Sequence, residues 1–427
     1  MHRHFRSPRS LMRSPALRAV LSLAFAVAFA PTALAQSCPG DINDDTLVDS
    51  GDLATILSNW GTCPVAAPTI AQISPNTGSA AGGTVFYIGG ENLNRVTSVT
   101  VGGVAATIIA AHPTVIVAST PVSTVGGAAT VVVTTPDGTA SAGDAFSYTF
   151  ATPSWATLIE AAPDPAVVTS ASMRAAITAT GLAWRVRDTA TQIELVLVPP
   201  GTFNMGCSPL NGGACPGDEL PVHAVTLTNA FYMGRYEVTQ AQWTARMGSN
   251  PSQFKTASPE VPAAQVPNRP VEKVSWTMVQ GFLSATGMRL PTEAEWERAY
   301  RAGTTTAFHS MPGFPNGTSD ASRAGNIAWF TSNSASQTRP VGGKAANALG
   351  LHDMSGNVWE WVSDWYSSTY YASSPPTNPP GPATGTNRIA RGGGWNASAS
   401  ISRSSFRSIW PPSFSDDSKG LRVVRNP

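Results

Sequence analysis

Tryptophan is concentrated in one part of this 427-residue chain, and that concentration limits what the chain can fold into. Ten of the 12 Trp lie between residues 182 and 427, where Gly and Asn are frequent and most periodic segments are short. Each aromatic side chain can bury about 150–250 Å² of surface, so an aromatic core can hold a loop-rich domain together. Two helices are predicted within it, over Thr239–Arg246 and Thr292–Arg301, the second with Thr292 and Glu295 as a capping box.

The net charge of the chain changes sign when the first 35 residues are left out. The formal net charge is +1, but five of the 27 Lys and Arg, and none of the 26 Asp and Glu, lie before residue 36. Without that segment, 22 basic residues face 26 acidic ones, which gives a net charge of −4. A weakly acidic protein with no basic block lacks the electrostatic pattern of a nucleic-acid-binding protein. The 42% of hydrophobic residues excludes wholesale disorder.

The first 35 residues are typical of a secretory signal peptide. An Arg-rich start leads into the apolar run Ala19–Ala30, and Ala33-Leu34-Ala35 offers a small-residue cleavage site. The run is too short to cross about 30 Å of hydrocarbon, although an uncleaved anchor is the alternative. No later segment of the sequence is apolar enough to span a bilayer. We therefore predict an exported protein, periplasmic or extracellular, that does not span a membrane once residues 1–35 are removed.

Residues 36–64 place oxygen donors at the spacing of a calcium-binding loop, followed by apolar residues at helical spacing. Positions 1, 3, 5, 9 and 12 of the loop carry side-chain oxygens, and position 7 offers a carbonyl. The predicted ligands are Asp41, Asn43, Asp45, Asp49 and Asp52, with the carbonyl of Leu47. The segment resembles a single dockerin-type repeat. We interpret it as a calcium-stabilised cap rather than a docking module, and an acidic solvated loop is the alternative.

The four cysteines form two close pairs along the sequence, Cys38 with Cys63 and Cys207 with Cys215. An even number of cysteines in an exported chain favours disulfides. Local pairing is the simplest of the three connectivities that four cysteines allow. Because the C-x-x-C spacing of metal-binding cysteines is absent, both pairs are predicted to be disulfides.

Residues 67–150 consist of short Val-, Thr- and Ile-rich runs separated by Gly, Pro and Asn. This pattern predicts a small all-β sandwich. Runs such as TVFYIGG and ATVVVTTPDG stand in the order of the immunoglobulin-like IPT/TIG domain, which the segment resembles along its whole length. Residues 151–180, rich in Ala, Pro and Thr, are predicted to be a linker into a C-terminal domain at 181–427.

Eight sequence blocks of the C-terminal domain carry a specific resemblance. They include VPPGTFNMGC (198–207), GMRLPTEAEWERAYRAG (287–303), GLHDMSGNVWEW (350–361) and RGGGW (391–395). The blocks stand in the order and spacing of the formylglycine-generating enzyme family, also called sulfatase-modifying factor domains. The resemblance implies an α+β fold related to C-type lectins. The chain is therefore predicted to be multidomain, with this fold following an immunoglobulin-like β-sandwich.

Active members of that family bind copper through two cysteines, five residues apart and just after the block that corresponds to RGGGW. They oxidise a substrate cysteine to formylglycine. In this chain the two positions hold Ala397 and Ser402. Copper(I) needs soft thiolate ligands, which neither side chain supplies. We therefore predict no catalytic residues and no copper, and the alternative is a divergent enzyme of this oxidase family.

The resemblance also implies two calcium sites in the C-terminal domain. Each would combine two side-chain oxygens with two backbone carbonyls, a donor set that suits calcium. The first set is Asp353, Gly356, Val358 and Glu360, and the second is Asn326, Ile327, Asn333 and Ala335. The alternative is that these are only turn and capping residues.

Charged residues near the missing cysteines favour a binding role. We predict that Arg407, Asp416 and Arg422 line a cleft beside Ala397 and Ser402. The protein would then be a calcium-stabilised binding or scaffold protein that recognises a protein segment or a glycan. A second group is interpreted as a buried network packed on an aromatic ring. Its members are Arg289, Glu293, Glu295, Trp296 and Glu297.

Overall fold

The computed structural model describes residues 66–210, 213–258 and 261–427, together with Ser50, Leu53, Ala54 and Leu57. The predicted signal peptide, the six predicted ligands of the N-terminal calcium loop, and Cys38 and Cys63 lie outside the described residues. The predictions made for them stay predictions.

Nine strands between residues 72 and 149 form two β-sheets packed face to face. They are β1 Gln72–Ser74, β2 Thr77–Ser79, β3 Val85–Gly89, β4 Ser98–Val101, β5 Val104–Ala105, β6 Thr107–His112, β7 Val115–Ser119, β8 Gly127–Thr135 and β9 Gly138–Thr149. The sheets have the orders β1-β3-β7-β6 and β2-β9-β8-β4-β5. Alternate apolar side chains fill the space between them, and the rings of Phe86 and Phe146 meet there with centroids 5.6 Å apart. The predicted β-sandwich is confirmed.

Residues 151–180 are not the linker that their composition predicts. They contain strand β10 (Ala156–Glu160), which pairs antiparallel with β11 (Arg185–Asp188), and helix α1 (Ala171–Thr178). Val168 and Ile177 are fully buried in the core of the C-terminal domain. The Ala- and Pro-rich composition conceals these elements because each contributes only a few buried side chains. The segment therefore belongs to the C-terminal domain.

The β-sandwich packs directly on the C-terminal domain. Phe150 contacts the hydrophobic cores of both. Ala151 N donates to the Gly181 carbonyl at 2.7 Å, and Ala183 N donates to the Ala151 carbonyl at 2.9 Å. Gly181 has φ +70°, and a Cβ there would lie 2.7 Å from Ser79 Oγ. Glycine is therefore needed at this close approach.

The remaining strands of the C-terminal domain are short. They are β12 Glu194–Val198, β13 Gly201–Met205, β14 His223–Leu227, β15 Phe231–Gly234, β16 Ala328–Trp329, β17 Ser355–Gly356, β18 Trp359–Trp365, β19 Arg388–Arg391, β20 Ser408–Trp410, β21 Lys419–Gly420 and β22 Val424–Arg425. A five-stranded sheet has the order β10-β11-β12-β15-β22, and a four-stranded sheet has the order β20-β19-β18-β21. The pairs β13-β14 and β16-β17 complete the strand pairing of these elements.

Three further helices surround these sheets: α2 (Gln240–Met247), α3 (Trp276–Thr286) and α4 (Glu293–Arg301). Capping boxes begin α2 and α4, so the two predicted helices are confirmed. Helix α3 was not predicted. Its signals are local, an N-cap at Ser275 and a left-handed C-cap at Gly287.

Aromatic side chains are prominent in the core of the C-terminal domain, as the tryptophan distribution predicts. Trp184, Trp296 and Trp361 are among its largest fully buried side chains. Within the described ranges, no helix is both long and apolar enough to cross a membrane.

Candidate functional site

The loop after β19 carries the two positions where the family's copper-binding cysteines would stand. Ala397 is 5% exposed and Ser402 is fully buried. Ser402 Oγ donates to the Ser398 carbonyl at 3.4 Å, and the Ser402 carbonyl accepts from Tyr300 Oη at 3.2 Å. Gly393 gives this loop room, because a Cβ there would lie 2.3 Å from Ser402 Oγ. The two positions therefore present a methyl group and a hydrogen-bonded hydroxyl, and no thiolate.

Cys207 and Cys215 form a disulfide, as predicted, with their Cα atoms 5.9 Å apart. Ser208 N, the next amide along the chain, donates to Ser405 Oγ at 3.1 Å. The start of the disulfide loop thus packs on the segment that follows Ser402. Since both sulfurs are oxidised, neither can replace the missing thiolates as a copper ligand.

Arg407 and Arg422 do not line a cleft, and that prediction is wrong. Both guanidinium groups are fully buried in ion pairs. Arg407 Nε lies 2.8 Å from Glu293 Oε1, and Arg422 Nη2 lies 2.6 Å from Glu360 Oε1. A buried guanidinium needs a carboxylate partner, and the fold brings one to each from a distant segment. Asp416 differs, because its side chain is 33% exposed and stays at the surface.

The prediction of a buried network is correct for Glu293, Trp296 and Glu297 and wrong for Arg289 and Glu295. The buried network also includes Arg391. Arg391 Nη2 lies 2.5 Å from Glu297 Oε2, and Arg301 Nη2 lies 2.7 Å from Glu297 Oε1. Trp296 packs under this group, with its ring centroid 5.1 Å from Arg391 Cζ. The outer pair, Arg289 with Glu295 at 2.6 Å, is half-exposed. The network fixes helix α4 against the loop that carries positions 397 and 402.

Five half-buried aromatic residues lie around that loop, and we call them the aromatic surface. They are Phe254, Trp395, Phe406, Trp410 and Phe414. The rings of Trp410 and Phe414 stack with centroids 4.4 Å apart, and those of Phe254 and Trp395 meet edge to face at 5.5 Å. Half-buried rings beside one another provide apolar contact area for a ligand.

A buried lysine joins the aromatic surface to acidic side chains. Lys419 Nζ lies 4.4 Å from the Trp410 ring centroid and 5.5 Å from that of Phe414. It donates to both oxygens of Asp416, at 3.2 and 3.3 Å. Burial lowers the pKa of Lys419. Of the predicted charged cleft residues, only Asp416 belongs to this surface. The aromatic residues were missed, although the sequences RGGGW and SFSDDSKG contain two of them, Trp395 and Phe414.

The first predicted calcium set is only partly available to a metal ion. The Glu360 carboxylate accepts from Arg422 at 2.6 and 3.0 Å and from Trp296 Nε1 at 2.7 Å, which occupies its lone pairs. Asp353 Oδ2 accepts from Gly342 N at 2.6 Å, whereas its buried Oδ1 has no hydrogen-bond partner. Burial raises the pKa of Asp353 to about 6. Asp353 therefore fits a cation ligand, and Glu360 in this arrangement does not.

The second predicted calcium set does not fit the ion. Asn333 Oδ1 accepts from Phe330 N at 2.8 Å, and its Nδ2 donates to the Ala328 carbonyl at 2.9 Å, so the amide caps its own turn. Lys344 Nζ donates to the Gly325 carbonyl at 2.6 Å, which brings an ammonium group to the residue before Asn326. A set with no carboxylate beside a positive charge is a poor calcium site. Among the residues that the structure describes, no group of three or more His, Cys, Asp or Glu could hold a metal ion.

Comparisons with known proteins identify the two domains. A family model described as the sulfatase-modifying factor enzyme 1-like domain matches residues 166–427, and an IPT/TIG domain model matches residues 68–148. The first match begins within the segment predicted as a linker and includes helix α1, in agreement with this helix belonging to the C-terminal domain.

Individual relatives cover the same region. A formylglycine-generating enzyme of Streptomyces coelicolor is 32% identical over 307 residues, which is 58% of this chain and 92% of that protein. A protein of Paenibacillus barcinonensis named chaperone protein LppX is 30% identical over 295 residues, 56% of this chain and 91% of that protein. The solved structure of PvdO from Pseudomonas aeruginosa is similar with 28% identity and a TM-score of 0.47, covering 57% of this chain and 98% of that one. Through residues 166–427, the chain belongs to the sulfatase-modifying factor enzyme 1-like family.

Proposed function

We propose that the C-terminal domain binds a ligand at the aromatic surface and does not oxidise cysteine. One observation carries the proposal: the two positions that need thiolates hold Ala397 and Ser402, both buried. Copper(I) coordination depends on soft sulfur ligands, so the family's oxidation chemistry has no metal site to run on here. The loop that carries these two positions lies beside the aromatic surface, which can contact a ligand without a metal ion.

The ligand would be a protein segment or a glycan. Both classes present apolar faces beside polar groups, which suit the stacked rings of Trp410 and Phe414 next to the half-exposed carboxylate of Asp416. The aromatic surface thus supplies contact area and Asp416 supplies hydrogen-bond acceptors. A purified sample of the full chain, applied to an array of glycans and peptides, would identify the ligand.

Paired variants then test the surface. Phe414→Ala should weaken the ligand found on the array about tenfold, as expected for an aromatic anchor. Phe314→Ala is the matched control, because Phe314 is also half-buried and also has a cation 5.5 Å from its ring, Arg323. Equal weakening by both variants, or no ligand on the array, would contradict the proposal.

A divergent oxidase is the second candidate, because the chain is 32% identical to a formylglycine-generating enzyme. The purified protein, copper and oxygen would be incubated with a peptide that contains Cys-x-Pro-x-Arg. We expect mass spectrometry to find the cysteine unchanged. Formylglycine in the peptide would overturn the binding proposal in favour of this alternative.

We also propose that the protein is exported and that calcium stabilises it. The Arg-rich and apolar start of residues 1–35 supports export. The N-terminal loop spacing supports one calcium site, and the free, buried Asp353 Oδ1 supports a second that uses the carbonyls of Gly356 and Val358. These carbonyls would hold the ion with Asp353, and Arg422 would continue to neutralise Glu360.

A further inference from the structure

A cavity in the C-terminal domain shares no lining residue with the aromatic surface. It has a volume of about 410 Å³ and is lined by helix α1, strand β13 and the C-terminal end of helix α4. Met173, Phe203 and Leu349 form apolar parts of its wall. Asn204 and Thr305 also line it, and their side chains make no hydrogen bond to any other described residue. The cavity therefore offers both apolar contact and free polar groups.

One cation on the cavity wall has no counter-ion. Arg298 donates from Nε and Nη2 to the Pro199 carbonyl at 3.2 and 2.8 Å, and from Nη2 to the Pro200 carbonyl at 2.8 Å. Through these hydrogen bonds, Nε and Nη2 hold the backbone at Pro199 and Pro200. Among the described residues, Nη1 has no hydrogen-bond partner and no carboxylate pairs with the guanidinium. Burial without a compensating carboxylate lowers the pKa of Arg298 to about 10, so the group is still a cation at neutral pH.

The other charges around the cavity do not compensate Arg298. Arg301 also lines the cavity, but it is paired at 2.7 and 2.9 Å with Glu297, whose other oxygen accepts from Arg391. No Asp or Glu is among the lining residues, so the wall is positively charged and Arg298 is its cation without a carboxylate partner. Another cavity, of about 580 Å³, is different, because its arginine, Arg289, is paired with Glu295 at 2.6 Å.

The local fold leaves space for this cation. Gly201, at the start of β13, has φ +149°, and a Cβ there would lie 2.6 Å from Arg298 Nη2. A side chain at this position would displace the guanidinium from its carbonyl partners. Arg298 is therefore held through Nε and Nη2, while Nη1 has no hydrogen-bond partner among the described residues.

We propose that this cavity binds the oxyanion group of a small ligand, a carboxylate or a sulfate, with Arg298 Nη1 as the charged donor. Asn204 and Thr305 would add neutral hydrogen bonds, and the apolar wall would contact the rest of the ligand. A half-buried guanidinium without a carboxylate partner is stabilised most by an acceptor that carries negative charge. This site goes beyond the binding function proposed for the aromatic surface and does not depend on it.

Calorimetric titration of the full chain with sodium sulfate and with sodium acetate, at constant ionic strength, tests the site. We expect saturable binding of at least one of them, and the preferred anion identifies the class. Arg298→Gln should weaken it about 10- to 100-fold, the range for a charged hydrogen bond. Arg323→Gln, which removes a half-exposed arginine paired with Asp320 elsewhere on the surface, should leave it unchanged.

A second variant separates binding from folding, because Arg298 also supports the backbone. Ala176→Phe, on helix α1, would fill the cavity and leave every hydrogen bond of Arg298 in place. It should abolish binding while the far-ultraviolet circular dichroism stays native. No saturable binding by the unaltered protein would overturn the proposal. Unchanged binding by Ala176→Phe would also overturn it, because the anion would then bind outside this cavity.

Discussion

Arg391 tests whether buried ion pairs hold the loop that carries positions 397 and 402. Its side chain is fully buried. The guanidinium donates to Glu297 Oε2 at 2.5 Å and to the carbonyls of Ser404, Ser405 and Phe406 at 2.7–2.9 Å. Replacing Arg391 with Met removes the cation and all of these donors but keeps most of the side-chain volume.

We expect Arg391→Met to lower the free energy of unfolding by about 3–5 kcal/mol, the cost of removing one partner from a buried ion pair. Glu297 keeps Arg301 at 2.7 Å, which limits the electrostatic part of the loss. The three carbonyls, however, lose their donors inside the protein, at about 1 kcal/mol or more each. The sum is a large part of the about 5–15 kcal/mol that stabilises a typical domain.

Urea unfolding followed by tryptophan fluorescence measures this cost in the C-terminal domain, because none of the 12 Trp lies in residues 67–150. Arg187→Met is the matched control. Arg187 pairs with Glu194 at 2.8 Å, and Glu194 also keeps a second arginine, Arg235 at 3.3 Å. Since the Arg187 side chain is 44% exposed, its loss should cost about 1 kcal/mol or less.

Equal losses in Arg391→Met and Arg187→Met would refute the reasoning, because burial would then make no difference. Added salt should reduce the cost of the exposed control and leave that of the buried variant unchanged. The double variant Glu297→Gln with Arg391→Met should lose less than the sum of the single variants, since the two groups interact directly.

Three further outcomes are expected. The double variant Ala397→Cys with Ser402→Cys should bind copper(I) where the parent binds none, and failure would show that the loop geometry as well as the thiols differs from the copper-binding relatives. Calcium should raise the melting temperature of the full chain, with separate parts of the gain lost in Asp353→Asn and Asp45→Asn; no gain over EDTA would contradict the calcium proposal. Burial lowers the pKa of His309 to about 4, below its unfolded value of about 6.5, so the unfolded state alone binds a proton between these values. His309 should therefore contribute a fall in stability of about 3 kcal/mol as the pH drops through this window, measured by urea titrations as the difference in pH dependence between the parent and His309→Gln; the same pH slope in both proteins would contradict the assignment.

Local signals in the sequence predicted much of the fold. The β-branched run TVFYIGG became β3, and the Thr292 and Glu295 capping box begins α4. The Cys207 and Cys215 pair is close enough in sequence for its disulfide to be predicted without a fold. The elements in residues 151–180 were not predicted, because their few core residues show no clear periodicity in the sequence. A relation of the C-terminal fold to C-type lectins stays a prediction.

Features that join distant segments could not be predicted. Arg407 pairs with Glu293, 114 residues away in sequence, and Arg422 pairs with Glu360, 62 residues away. Because neither partner is near in sequence, the two arginines were predicted to line a cleft, whereas the fold buries both in ion pairs. The pairing with Arg422 also makes Glu360 unavailable as a ligand in the first predicted calcium set. Asp353 fits its predicted role for the opposite reason, since no neighbour satisfies its Oδ1.

The segment from 391 to 407 separates the support of a site from its chemistry. Three buried arginines hold it, each to a carboxylate from elsewhere in the domain: Arg391 to Glu297, Arg403 to Glu219 and Arg407 to Glu293. None of these pairs supplies a copper ligand, yet together they fix the backbone beside the half-buried rings of Trp395 and Phe406.

Buried ion pairs contribute little net stability compared with apolar packing, so their physical effect is to define one arrangement of this loop. A binding surface needs such a fixed arrangement as much as an active site does, because each rotatable group that is already ordered lowers the entropy lost when a ligand binds. The retained scaffold is therefore consistent with ligand binding at a site that has no thiolates.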